Sequence, residues 1–221
     1  MLKAKDFRNE AWGKLSGKWG TLAVITLVFS LILGACSALS FVGVGAIALI
    51  LIEGPLTVGY VIVSLTVIRQ QETKFEYLFY GFKNFVNTFV LYLLNFIFIF
   101  LWSLLLVIPG IVKALSYSMR YYILADHPDM NPNDARKASM EMMKGNKWRL
   151  FCLELSFIGW CILSTLTFGI LYFWVLPYMQ SAMAAFYESI KNGNAAQTVA
   201  PALEMPSEEK ANEEVNASEN N

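Results

Sequence analysis

Four ionisable side chains stand in otherwise uncharged, apolar surroundings: Glu53, Lys113, Arg120 and Glu154. A charge in hydrocarbon is costly, so such residues face a partner, a bundle interior or water. At a helical rise of about 1.5 Å per residue, Glu53 lies roughly 22 Å and Lys113 roughly 20 Å from the charged ends of their helices. Arg120 and Glu154 lie only about 6–9 Å in. The depths pair off with opposite signs, which predicts Glu53 beside Lys113 and Arg120 beside Glu154, in contact or sharing a cavity. Two chemistries fit. The groups are ion pairs that fix helix packing, with Arg120 and Glu154 able to snorkel to the interface, or they line a substrate or proton path. Ser116, Tyr117, Ser118, Tyr121 and Tyr122 make the surroundings of Arg120 unusually polar. Tyr117 and Tyr121 share a helix face with Lys113 at i, i+4 spacing. They read as interhelical hydrogen-bonding groups or as the lining of a polar cavity.

Little else in the chain resembles reactive chemistry. His127 is the single histidine and sits beside Asp126 and Asp129. A metal site needs more ligands than that, so it reads as a loop histidine at a helix end. Cys36, Cys152 and Cys161 all lie in apolar runs. An odd, buried set without Cys-x-x-Cys predicts packing residues, not a disulfide framework or metal site. No Gly-rich phosphate loop, Gly-x-Ser-x-Gly or His-Glu-x-x-His is present. The expectation is therefore no catalytic residue, no cofactor, no metal and no enzymatic activity.

The elements that carry these residues are apolar and long. Trp19 to Ile52, Asn84 to Val112 and Leu155 to Tyr187 contain no charge. Hydrophobic residues make up 56% of the chain and charged ones 15%, against about 25% charged in soluble domains. A spanning helix needs roughly 20 apolar residues. The predicted fold is all-α and polytopic, with six transmembrane helices arranged as three hairpins. The first hairpin pairs 21–38 with 44–68, interrupted at Glu53-Gly54-Pro55. The second pairs 86–107 with 111–125, turning at Pro109-Gly110. The third pairs 148–166 with 170–190, kinked at Pro177.

Amphipathic segments flank the hairpins. Phe7, Ala11 and Leu15 form one stripe, and Ala135, Ala138, Met142 and Met143 another. Both predict interfacial helices lying against lipid headgroups. Asn131 is the expected N-cap of the second, with Pro132 in its first turn. Gly17, Gly81 and Gly145 are spaced 64 residues apart. Each precedes a hairpin, which suggests three copies of a surface helix followed by a hairpin. Fifteen of the seventeen Lys and Arg residues lie in the N-terminus, the 69–83 and 127–149 loops and the C-terminal flank. Three hairpins put all four segments on one side, so both termini are expected in the cytoplasm. Residues 1–191 would form the membrane domain. Residues 192–221, with six acids and one lysine, would form a disordered acidic tail.

Ile108-Pro109-Gly110-Ile111, Tyr117-Ser118-Met119, Leu124-Ala125-Asp126 and Met143-Lys144-Gly145-Asn146-Lys147-Trp148 form a combined signature. Leu155 to Trp160, Leu176-Pro177-Tyr178 and Ala185-Phe186-Tyr187 extend it downstream; Gly54-Pro55, Leu78-Phe79 and Gly81-Phe82 extend it upstream. The chain resembles an uncharacterised family of bacterial integral membrane proteins, the domain of unknown function numbered nine-seven-five. More distantly it is similar to the membrane region attached to some glycerophosphodiester phosphodiesterases. The resemblance implies no catalytic or binding residues, and the chain has no soluble phosphodiesterase domain.

These observations favour a multi-pass protein of the cell membrane, acting as a non-enzymatic accessory or interaction module in envelope or lipid homeostasis. Its partners would be the bilayer and an anionic lipid or membrane protein, with no nucleic acid. A small transporter or channel-like subunit is the alternative, and a membrane-embedded lipid enzyme a third.

Overall fold

The computed structural model describes residues 3–39, 44–105, 107–167 and 169–203. Among them the chain is all-helical, with ten α-helices and one 3-10 helix. They are α1 (Ala4–Leu15), α2 (Trp19–Leu39), α3 (Val44–Ile68), the 3-10 helix Phe75–Phe82, α4 (Phe85–Leu105), α5 (Val107–Tyr117) and α6 (Arg120–Asp126). Then follow α7 (Pro132–Met142), α8 (Lys147–Leu155), α9 (Ile158–Leu166) and α10 (Tyr172–Leu203). Residues 1–187 form one compact unit and 188–221 a second.

Among the described residues, three helices are long and apolar enough to cross a membrane: Trp19–Leu39, Ile47–Ile68 and Lys147–Leu166. A fourth span arises if the pair Phe75–Phe82 and Phe85–Leu101, bent by 77°, counts as one. At about 1.5 Å per residue, twenty residues reach about 30 Å, the thickness of a hydrocarbon core. The outward faces of these helices carry Val24, Leu31, Ile47, Phe100 and Leu166, all exposed. Exposed apolar surface of this extent needs lipid or protein to cover it.

Several expected boundaries move. Pro109-Gly110 is not a turn between helices; both residues lie in the first turn of α5, where proline's missing N–H has no partner to lose. The return helix 111–125 is interrupted at Ser118-Met119. The first helix of the third hairpin is interrupted at Ser156-Phe157. Helix α10 runs on past residue 192 to Leu203; residues 204–221 of the expected acidic tail lie outside the described residues.

The amphipathic helices pack on protein. In α1, Phe7, Ala11 and Leu15 are buried, as their spacing predicts. Their cover is protein, not the lipid headgroups expected from the sequence: Phe7 meets Phe186 edge-on at 5.3 Å. In α7, Asn131 caps the helix through the Asn133 N–H, as expected. Its buried stripe is Pro132, Ala135 and Ser139, continued by Met143, so Ala138 and Met142 lie off the most buried line. The stripe is rotated because Ser139 faces inward to donate a hydrogen bond to the Ser116 carbonyl at 2.9 Å. Arg136 lies over the Phe98 ring at 4.1 Å.

The proposed glycine repeat divides into two kinds. Gly17 and Gly145 have φ of 81° and 77°, the left-handed conformation that glycine adopts without strain. They turn the chain from α1 into α2 and from α7 into α8. Gly81 does not share that conformation. It lies in the 3-10 helix against α3, where a Cβ would stand 2.0 Å from the Pro55 carbonyl oxygen. Gly59 on α3 answers it: a Cβ there would stand 1.8 Å from the Leu78 carbonyl oxygen. Missing side chains on both partners let two backbones touch, a recurrent solution for membrane helices. Gly59→Ala and Gly81→Ala should each destabilise the protein by about 3 kcal/mol or more, since backbone has to move to admit the methyl group. Gly13→Ala, in open space within α1, should instead stabilise it by about 0.5–1 kcal/mol. Unfolding of the three variants in detergent measures both effects.

Candidate functional site

The four charges set in apolar surroundings are distributed unequally. Glu53 is half-buried on α3, and its carboxylate accepts a hydrogen bond from Tyr92 Oη of α4 at 2.7 Å. The expected partner, Lys113, lies half-buried on α5. Nearby on α4, Asn95 is buried and lines a small pocket with Tyr92.

Arg120 and Glu154 line one cavity of about 450 Å³. Thr57 and Val61 of α3, Tyr121 and Tyr122 of α6, Phe157, and Met179 and Gln180 of α10 complete much of its wall. Arg120 is only 9% exposed. Its guanidinium lies over the Tyr121 ring at 4.1 Å, and Nη1 donates to the Tyr117 carbonyl. Its Nε is buried with no hydrogen-bond partner. Glu154, in the last turn of α8, is exposed. Across the cavity wall Tyr122 Oη donates to Gln180 Oε1 at 3.3 Å.

The helices around this cavity are interrupted or carry proline. α5 gives way to α6 at Ser118-Met119, and α8 to α9 at Ser156-Phe157. α3 contains Pro55, two residues before Thr57, and α10 contains Pro177, two before Met179. Breaks free backbone carbonyls, which hydrocarbon cannot hydrate. Side chains take up three of them. Ser139 Oγ donates to the Ser116 carbonyl at 2.9 Å, Arg120 to Tyr117, and Arg8 Nη1 of α1 to Ser156 at 3.2 Å.

Below the cavity, at the charged ends of α3 and α6, Arg69 pairs with Asp126 at 2.8 Å. Tyr187 Oη donates to the same carboxylate at 2.9 Å. This cluster ties α3, α6 and α10 together. His127 follows it as the exposed C-cap of α6, its N–H donating to the Ile123 carbonyl at 2.9 Å.

A family described as "Protein of unknown function (DUF975)" matches the chain over residues 1–116 and 104–194. The chain belongs to that family. No curated protein matches it, and no solved structure does. The matched stretches include Glu53, Lys113, Arg120 and Glu154, both helix breaks and the Arg69–Asp126–Tyr187 cluster.

In this DUF975 chain, the sequence reading finds Arg120 and Glu154 but misses what surrounds them. Arg8 reads as one lysine-like charge among five near the N-terminus. Its position one residue past Phe7 is the available signal, because it places the side chain at the edge of the buried stripe. Asp126 reads as a neighbour of His127, yet its side chain is 8% exposed and holds two partners. Arg8→Ala should cost about 1–3 kcal/mol, the penalty for leaving a buried carbonyl without a donor. Lys5→Ala, at an exposed position of the same helix, should stay within about 0.5 kcal/mol of the parent. Detergent unfolding compares the two, and Arg8→Lys should recover part of the loss.

Proposed function

We propose that this is a six-pass protein of the bacterial cell membrane with both termini in the cytoplasm. It works as a non-enzymatic accessory module that binds a partner molecule and does not transform it, in envelope or lipid homeostasis. The observation that carries a binding role is the cavity where Arg120 and Glu154 face one space among interrupted helices. In the six-pass arrangement α2, α3, α4, the pair α5–α6, the pair α8–α9 and α10 are the six crossings. Fifteen of seventeen cationic side chains then fall on one side, which the positive-inside rule assigns to the cytoplasm. The bilayer itself, an anionic lipid or a membrane protein would be the partners.

One feature favours a second reading, a small transporter or channel-like subunit. Discontinuous helices meeting at a polar site inside the membrane are how many transporters build their binding sites. Purified protein in sealed liposomes separates the readings. The accessory role predicts no gradient- or voltage-driven solute flux, whereas saturable flux abolished by Arg120→Gln would replace it with transport.

Topology is tested separately. In a chain with Cys36, Cys152 and Cys161 replaced by serine, Glu72→Cys and Lys137→Cys should resist an impermeant thiol reagent applied to intact cells. Ser40→Cys should react. External labelling at position 137 would exclude the six-pass arrangement.

A further inference from the structure

We infer that the cavity between Arg120 and Glu154 binds a small zwitterion, with its carboxylate or phosphate on Arg120 and its ammonium on Glu154. The inference rests on the binding role proposed above and names the ligand class. Arg120 and Glu154 line the same space, yet among the described residues no ion pair within 4.0 Å joins them. A buried guanidinium with an unpartnered Nε is costly unless an anion meets it. Glu154 is a carboxylate on the wall of the same cavity, with no cation paired to it within 4.0 Å among the described residues.

A simple anion would satisfy Arg120 and leave Glu154 unpaired, and a simple amine would do the reverse. A molecule carrying both charges satisfies both. The volume suits it: about 450 Å³ lies within the roughly 300–1,000 Å³ typical of small-molecule sites. Ser118 Oγ already donates to the Leu115 carbonyl at 2.9 Å, so its oxygen is free to accept from the ammonium. Val61, Phe157, Met179 and Met183 supply an apolar wall for a side chain or acyl stem. Two sources share this chemistry: the headgroup of an ethanolamine lipid and a free amino acid with an apolar side chain.

The test is calorimetric titration of the full-length chain in a non-ionic maltoside micelle. The probes are dihexanoyl phosphatidylethanolamine, L-leucine, dihexanoyl phosphatidylglycerol and ethanolamine. At least one of the two zwitterions should bind saturably, and at least tenfold more tightly than the phosphatidylglycerol or the ethanolamine. Preference for the short-chain lipid assigns a headgroup, and preference for leucine assigns a free amino acid. Glu154→Gln, which changes an exposed residue and should fold, must weaken zwitterion binding at least tenfold. Arg120→Gln should do the same, with Arg120→Lys recovering part. The inference is overturned if neither zwitterion binds, or if phosphatidylglycerol binds as tightly and Glu154→Gln has no effect. Such a result would leave the topology and flux outcomes standing, so the broader functional reading is judged separately.

Discussion

An apolar interior offers no hydrogen bond to a free carbonyl, and that constraint organises this molecule. An unbroken helix meets it within its own backbone; an interrupted helix does not. The chain interrupts two of its apolar segments, at Ser118-Met119 and Ser156-Phe157, and brings side chains from elsewhere to the freed groups. Ser139 comes from α7 and Arg8 from α1, both outside the long apolar segments. The amphipathic helices are thus structural partners of the breaks. Their buried stripes hold them against the bundle, and their polar edges reach into it. Removing either helix would expose backbone as well as apolar surface.

Close backbone approach supplies the second constraint. Between lipid tails and apolar side chains there is little hydrophobic gain from helix association, so packing has to come from contact itself. Gly59 and Gly81 provide it where the 3-10 helix lies against α3. This fixes the 3-10 helix along α3, from which α4 departs at a sharp angle. At the other end of α3, Arg69, Asp126 and Tyr187 tie three helices through one largely buried carboxylate. The ends and middle of α3 are therefore pinned by different forces, and α3 becomes the element on which the rest is arranged.

Much of this was legible in the sequence. The four-residue spacing of Phe7, Ala11 and Leu15 located a buried stripe, and Gly17 and Gly145 after amphipathic segments located two left-handed turns. The matched depths of Arg120 and Glu154 marked two residues that share a cavity. Other features left no local trace. No glycine or proline lies at Ser118-Met119 or Ser156-Phe157, so the breaks depend on tertiary donors that periodicity cannot see. Gly81 matched its fellow glycines in spacing while serving a different end, because sequence spacing does not distinguish a positive φ from a missing Cβ. Ser139 was passed over in favour of Ala138 since a serine counts as polar until its acceptor, the Ser116 carbonyl, is known.

The breaks are also not scattered at random over the bundle. Among the described residues α2 runs without interruption and contributes nothing to the cavity wall, whereas both interrupted pairs do, as do α3 with Pro55 and α10 with Pro177. A break costs backbone hydrogen bonds and requires donors to compensate, so its placement needs a local return. Here it sets charge at depth. Arg120 directly follows one break and Glu154 stands two residues before the other. A continuous helix could carry the same residues, but its backbone would offer no free carbonyl for Arg120 to bond at Tyr117. The break holds the guanidinium in place by that carbonyl. The same interruption that costs the fold regular helix thus fixes one charge on the wall of the cavity.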